Sequence, residues 1–107
     1  MANTENIYQN IPQALSDELF TLLLENKNIR IERIVSQGQR TKAGEWYDQM
    51  QNEWVIIVQG QAVIEYENTQ THDLNVGDYL FIPANTRHRV LWTSHNEQTI
   101  WLAIHWS

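Results

Sequence analysis

A 107-residue chain with 13 acidic and 7 basic side chains carries a net charge of −6 and no basic stripe, which excludes nucleic acid and anionic membrane surfaces as partners. Without cysteine it has neither a disulfide frame nor a thiolate metal site. The polar start from Met1 to Asn6 shows no signal segment and no apolar run nears membrane-spanning length, so one soluble, cytoplasmic domain with a modest core is expected.

Residues 1–12 read as a lead-in ending at Pro12, and residues 13–107 as a single β-barrel domain. Its first expected element is a helix at about 16–25. Ser16 would cap it, Asp17 and Glu18 would occupy its first turn, and Leu19, Phe20, Leu22, Leu23 and Leu24 would give it an apolar face to lay on a sheet. Asn26 to Asn28 would end it. The next segment, Ile29 to Val35, alternates as a strand, with Ile29, Ile31 and Val35 on one face and Arg30, Glu32 and Ile34 on the other. Arg33 breaks the pattern on the Ile31 and Val35 side. An arginine facing a core pairs with an acid or lines a pocket, and the alternative is exposure at a strand end.

The polar stretch 36–45, with Gly38 and Gly44, reads as a loop or an irregular strand. Trp46 to Gln49 is strand-like, with Trp46 and Asp48 on one face and Tyr47 and Gln49 on the other. Trp54 to Val58 is apolar on both faces and should be covered on both. A turn at Gly60 leads into the alternating strand Ala62 to Glu67. After Asn68, Thr69 and Gln70, a short strand from Thr71 to Val76 should point His72, Leu74 and Val76 inward. Gly77 and Asp78 turn the chain into Tyr79 to Ile82. The strand His88 to Trp92 puts His88, Val90 and Trp92 together, His95 falls in a solvated loop, and in the last strand His105 shares a face with Trp101 and Ala103. About eight short strands punctuated by turn residues describe an all-β fold, an antiparallel β-barrel or double-sheet jelly roll, with one N-terminal helix.

Two spacings stand out. Glu53 is followed by six residues and then Gly60. Gly77 is followed by five residues and Pro83, and His88 lies beyond Ala84, Asn85, Thr86 and Arg87. On these residues the stretch from Gly38 to Trp92 resembles the cupin superfamily, whose fold is a small barrel of jelly-roll type. Asn85 stands where the second family motif has a glycine, and Asn tolerates the same left-handed backbone. Trp92 replaces that motif's final Asn. The resemblance implies a divalent metal held by a His-x-His pair, a Glu and a second-motif His. The pair is absent here: according to spacing, its positions fall on Trp46 and Asp48 or on Tyr47 and Gln49. Glu53 and His88 carry over directly, with Asp48, and more weakly Gln49, as substitute ligands. Such an oxygen-rich set suits Mn, Fe or Zn. Trp46, Tyr66 and Trp92 would wall the pocket, with Arg33 and His105 in reach of it. Two functional expectations follow from the resemblance. One is a metal-binding cupin that acts on or binds a small oxygenated molecule such as a sugar, keto acid or phenolic compound. The other is a metal-free ligand-binding or sensor cupin without catalysis. Either is expected as a homodimer.

Overall fold

The computed structural model describes residues 3–107; Met1 and Ala2 of the expected lead-in lie outside the described residues. The elements are all strands: β1 (Leu19–Glu25), β2 (Ile29–Ser36), β3 (Asn52–Gln59), β4 (Ala62–Tyr66), β5 (Thr71–Leu74), β6 (Tyr79–Ile82), β7 (His88–Thr93) and β8 (Thr99–Trp106). They form a five-stranded sheet in the order β1-β2-β8-β3-β6 and a three-stranded sheet in the order β5-β4-β7, with every pairing antiparallel. Val55, Ile57, Ile82, Trp101 and Ala103 from the larger sheet meet Ala62, Ile64 and Leu74 from the smaller in one core. This is the double-sheet jelly roll that the alternating strands call for. β8 lies at the centre of the larger sheet, bonded along its whole length to β2 on one side and to β3 on the other.

The helix expected at 16–25 does not form. Leu19 to Glu25 is β1, the edge strand, paired with β2 from Leu19↔Val35 to Glu25↔Arg30. The three asparagine-flanked residues read as a helix end are a hairpin turn instead: Asn26 N donates to Ile29 O at 3.0 Å, and Asn28 N donates to the Asn26 side chain. A short leucine-rich run fits helix and strand periods alike, and the neighbouring strand decides between them. Glu18, assigned to the first helical turn, instead accepts a 2.5 Å hydrogen bond from Ser36 Oγ inside the molecule.

β2 also faces the opposite way from the expectation. Arg30, Glu32 and Ile34 point into the barrel, while Arg33 and Val35 point out. The outer face still reads as core, because the segment before β1 lies across it. Arg33 donates to the carbonyls of Ile7 and Gln9 at 3.1 and 2.6 Å and to Thr21 Oγ1 at 3.2 Å, and Gln98 donates to Pro12 O. Val35 and its register partner Ile100 are fully buried on that outer side. Arg33 is therefore a clasp for the N-terminal segment: it lines a groove beside Ile7, Gln9 and Thr21 and does not enter the space between the two sheets. Val76, expected inward, lies beyond the end of β5 and is 64% exposed, whereas Leu74 is buried as expected.

Candidate functional site

Between the two sheets lies a cavity of about 230 Å³. Ile34, Val55, Ile64, Ile82, Val90 and Trp101 make it apolar for most of its surface, and its polar lining is Glu18, Arg30, Glu32, Tyr47 and Gln49 with Glu53, His88 and His105. Glu53 sits on β3 between Ile82 of β6 and His105 of β8. Its strand position forces the carboxylate inward, opposite the exterior Trp54. His88 opens β7. The preceding turn is set by Asn85 at φ 62°, a left-handed conformation that Asn accepts, and Asn85 N donates to Gln49 O at 2.8 Å. The backbones of His88 and Tyr47 exchange two hydrogen bonds, of 3.1 and 2.7 Å, and their rings stack at 5.7 Å.

The site's polar groups are arranged as a row of alternating acids and imidazoles. His88 Nε2 is 3.5 Å from Glu53 Oε1, His105 Nε2 is 3.8 Å from Glu53 Oε2, and the same nitrogen is 3.2 Å from Glu32 Oε1. These are ion-pair contacts at the outer reach of hydrogen bonding, and both ring nitrogens of His105 are buried without an aligned partner. Gln49 Nε2 donates to Glu53 Oε1 at 2.9 Å. His88 Nδ1 lies 2.9 Å from Thr86 O; a carbonyl only accepts, so Nδ1 carries the proton and Nε2 faces the carboxylate.

Burial works against charge on both members of the pair. It pushes Glu53 up, but the His88 contact, the charges of His105 and His88 and the Gln49 amide outweigh it, and the carboxyl is held below its ordinary 4.5. Burial pushes His88 down. The Glu53 contact, the Thr86 carbonyl and the charges of Glu53 and Asp48 reverse that and hold the imidazole above its ordinary 6.5. Glu18 goes the other way: burial raises it above 4.5 against the lowering effect of Ser36.

Glu53, His88, Gln49 and His105 are thus brought together. Other expected residues go elsewhere. Asp48 is exposed and does not line the cavity, since the parity of this stretch sends Tyr47 and Gln49 inward. Trp46 is on the outside, with the guanidinium groups of Arg89 and Arg87 at 4.8 and 5.9 Å from its ring. Tyr66 packs against the core and the His72 ring at 4.9 Å, away from the cavity lining. Trp92 is turned outward by a bulge. The register passes from Ile64↔Val90 to Val63↔Trp92, so Leu91 is the extra residue and the face is reversed after it. Glu18, Arg30 and Glu32 line the cavity without having been expected there.

Residues 34–105 match the cupin domain family. The chain is a cupin. A solved structure from Ralstonia eutropha JMP134, described as "a putative mannose-6-phosphate isomerase", is 45% identical, with 99% of each chain covered and a TM-score of 0.95. A cupin superfamily protein from Desulfitobacterium hafniense DCB-2 is 22% identical over 90% of this chain and 83% of its own, with a TM-score of 0.74, and shares the fold. So does an RmlC-like cupin from Desulfovibrio desulfuricans, 14% identical over 97% and 96%, with a TM-score of 0.73. No curated protein matches the chain.

Cupins often hold a divalent metal, which the donor set here would have to ligate. It does not fit. The family's two histidine positions are the inward-facing Tyr47 and Gln49, and the Asp48 substitute faces out. The Gln49 amide already occupies a Glu53 oxygen. Among the described residues, no three His, Cys, Asp or Glu side chains are grouped to hold a metal ion. The Mn, Fe or Zn site expected on Asp48, Gln49, Glu53 and His88 is not assembled, and no chemistry is routed through it.

Proposed function

We propose that this cupin binds a small oxygenated organic molecule between its sheets and that Glu53 and His88 hold a transferable proton against one of its oxygens, without a metal. The observation that carries this is the His88 ring: Nδ1 is anchored to Thr86 O, and the free Nε2 faces Glu53 inside the cavity between the sheets. A proton on Nε2 beside a carboxylate can be lent to a ligand oxygen and taken back, with Glu53 restoring the pair. The cavity of about 230 Å³ suits a molecule smaller than a typical drug. The description of the Ralstonia protein, which names a phosphorylated sugar, is in keeping with an oxygenated ligand.

The test is a thermal-shift panel of sugars, keto acids and phenolic compounds, run in chelator. A ligand at a hundred times its Kd should add about 2.7 kcal/mol to wild-type stability. Glu53→Gln should lose most of that gain while still folding. Stabilisation that vanishes in chelator and returns with added Mn, Fe or Zn would reinstate a metal reading and overturn this one.

The same reading makes the protein a homodimer. Phe20, Leu22, Leu23 and Leu24 are 45–54% exposed on β1, an edge strand whose outer hydrogen-bonding groups are unpaired among the described residues. A long apolar edge is an invitation to pairing, and two antiparallel copies of β1 about a twofold axis cover it with one self-complementary contact. Light scattering should give twice the monomer mass. Leu22→Lys combined with Leu24→Lys should shift it to monomer, and a wild type that is monomeric throughout the micromolar range refutes the assignment.

A further inference from the structure

Arg30 stands in the cavity with nothing to hold. It lies on β2 directly across from His105 of β8, and it lines the space between the sheets. Its Nε is buried without a hydrogen-bond partner, and among the described residues no carboxylate oxygen lies within 4.0 Å of its guanidinium. The other arginines nearby are engaged. Arg33 shares the unpartnered Nε, but its two terminal nitrogens are bonded to two carbonyls and a threonine; Arg87 is bonded to Glu67 and Arg89 to Glu65. A guanidinium presents five donors in a planar fork, cannot shed its proton, and loses free energy when those donors are taken from water without a replacement. A cavity-facing arginine with an orphaned donor is therefore set up for an acceptor that comes from outside the chain.

We propose that Arg30 is the anion receptor of this cupin: it takes the oxyanion of a small hydroxy or keto acid, or of its phosphorylated counterpart, and turns the neutral, oxygen-bearing end toward Glu53, His88 and His105. The inference rests on the reading that the barrel takes a small oxygenated molecule, and it adds that the molecule is an anion. The carboxyl groups sharing the space do not oppose it. Glu53 lies against both imidazoles, Glu32 faces His105, and burial favours the neutral form of Glu18 beside Ser36. The placement also gives orientation. Arg30 neighbours His105 on the sheet, and His105 neighbours Glu53, so a ligand anchored at the guanidinium runs along the row of acid–base groups.

The experiment measures binding calorimetrically with matched probes: lactate against lactamide, pyruvate against pyruvamide, and mannose 6-phosphate against mannose. Wild type should prefer the anion of a pair by about 10- to 100-fold, the span of a charged hydrogen-bonded contact. Arg30→Gln should bring the anion down to the level of its neutral partner. Arg30→Lys should keep a reduced preference, because a point charge replaces a two-pronged donor. The carboxylate pairs and the phosphate pair report separately which oxyanion is meant. Equal binding of anion and neutral probe by wild type overturns the assignment of Arg30 and leaves the acid–base site standing. So does a preference that persists in Arg30→Gln. If none of the probes binds, the small-molecule reading of the barrel fails and this inference with it. Should Arg30→Gln not fold, the wild-type ratio and Arg30→Lys decide: a ratio near one in wild type, or an undiminished one in the lysine variant, rejects the proposal.

Discussion

Replacing Gly60 with alanine should destabilise the protein by about 3–4 kcal/mol, lowering the melting temperature by roughly 20 °C. Two separate effects add. Gly60 turns the chain from β3 into β4 at φ +88°, where an L side chain costs about 1–2 kcal/mol. A Cβ there would also lie 2.7 Å from Thr99 Cα and 2.9 Å from Gln98 O. These are backbone atoms at the start of β8, so relief requires the turn and the central strand to separate. That motion would strain the contacts of Gln61 N and Gln61 O with Thr99 Oγ1, at 3.3 and 3.1 Å. Gly44 and Gly77 provide the controls. Their φ values are +85° and +89°, but nothing lies within 4 Å of the added Cβ, so alanine at either should cost only the backbone part, about 1–2 kcal/mol. Chemical denaturation of the three variants measures the difference. If Gly60→Ala falls within 1 kcal/mol of Gly77→Ala, the close approach of the turn to Thr99 is wrong.

The second large effect is expected at the acid–base pair. His88→Ala leaves the Glu53 carboxylate inside the barrel with His105 at 3.8 Å and the Gln49 amide as its remaining support. Removing one member of a buried pair costs about 3 kcal/mol, mostly through the charge left behind. The double variant Glu53→Gln, His88→Ala should recover part of that loss, which a purely steric role for the ring would not produce. The pH dependence carries a distinct signature. His88 is raised above 6.5 in the folded state, so its contribution is complete below 6.5 and is lost as pH climbs through the folded value. Glu53 is lowered below 4.5, so its contribution is complete above 4.5 and is lost as pH falls through the folded value. The pair therefore stabilises most between about 4.5 and 6.5. Glu18, being raised, takes stability away as pH rises above 4.5 and draws the maximum toward the acidic side of that window. Melting curves across pH should show a decline on the alkaline side that His88→Ala flattens. An unchanged alkaline limb in that variant would place the titrating group elsewhere.

The strands were legible because alternation and turn residues agree along most of the chain, and Glu53 and His88 were legible because their spacing to Gly60, Gly77 and Pro83 is that of a known barrel. The errors share a cause: each arose where one local signal fitted two structures. In β2 both faces are buried, one by the opposite sheet and one by the N-terminal segment, so parity could not say that Arg30 and Glu32 face in while Arg33 faces out. The stretch Trp46 to Gln49 makes only the isolated Tyr47↔His88 bridge, too short a ladder to fix which residues enter the cavity. Trp92 was misplaced by one inserted residue, Leu91, that leaves no trace in hydrophobicity. Ahead of Leu19 to Leu24, Ser16, Asp17 and Glu18 mimic a helix start and the leucines an apolar helix face, and pairing with β2 overrides both signals.

The position of β8 has a bearing on how the site fails. Its amides and carbonyls are engaged by β2 and β3 on both flanks, and it carries His105 opposite Glu53. Strands held this way exchange their amide hydrogens only when the whole domain opens, unlike frayed edges and loops. Heat or denaturant should consequently abolish ligand recognition and melt the barrel in one and the same transition, leaving no intermediate that is folded yet blind to its ligand.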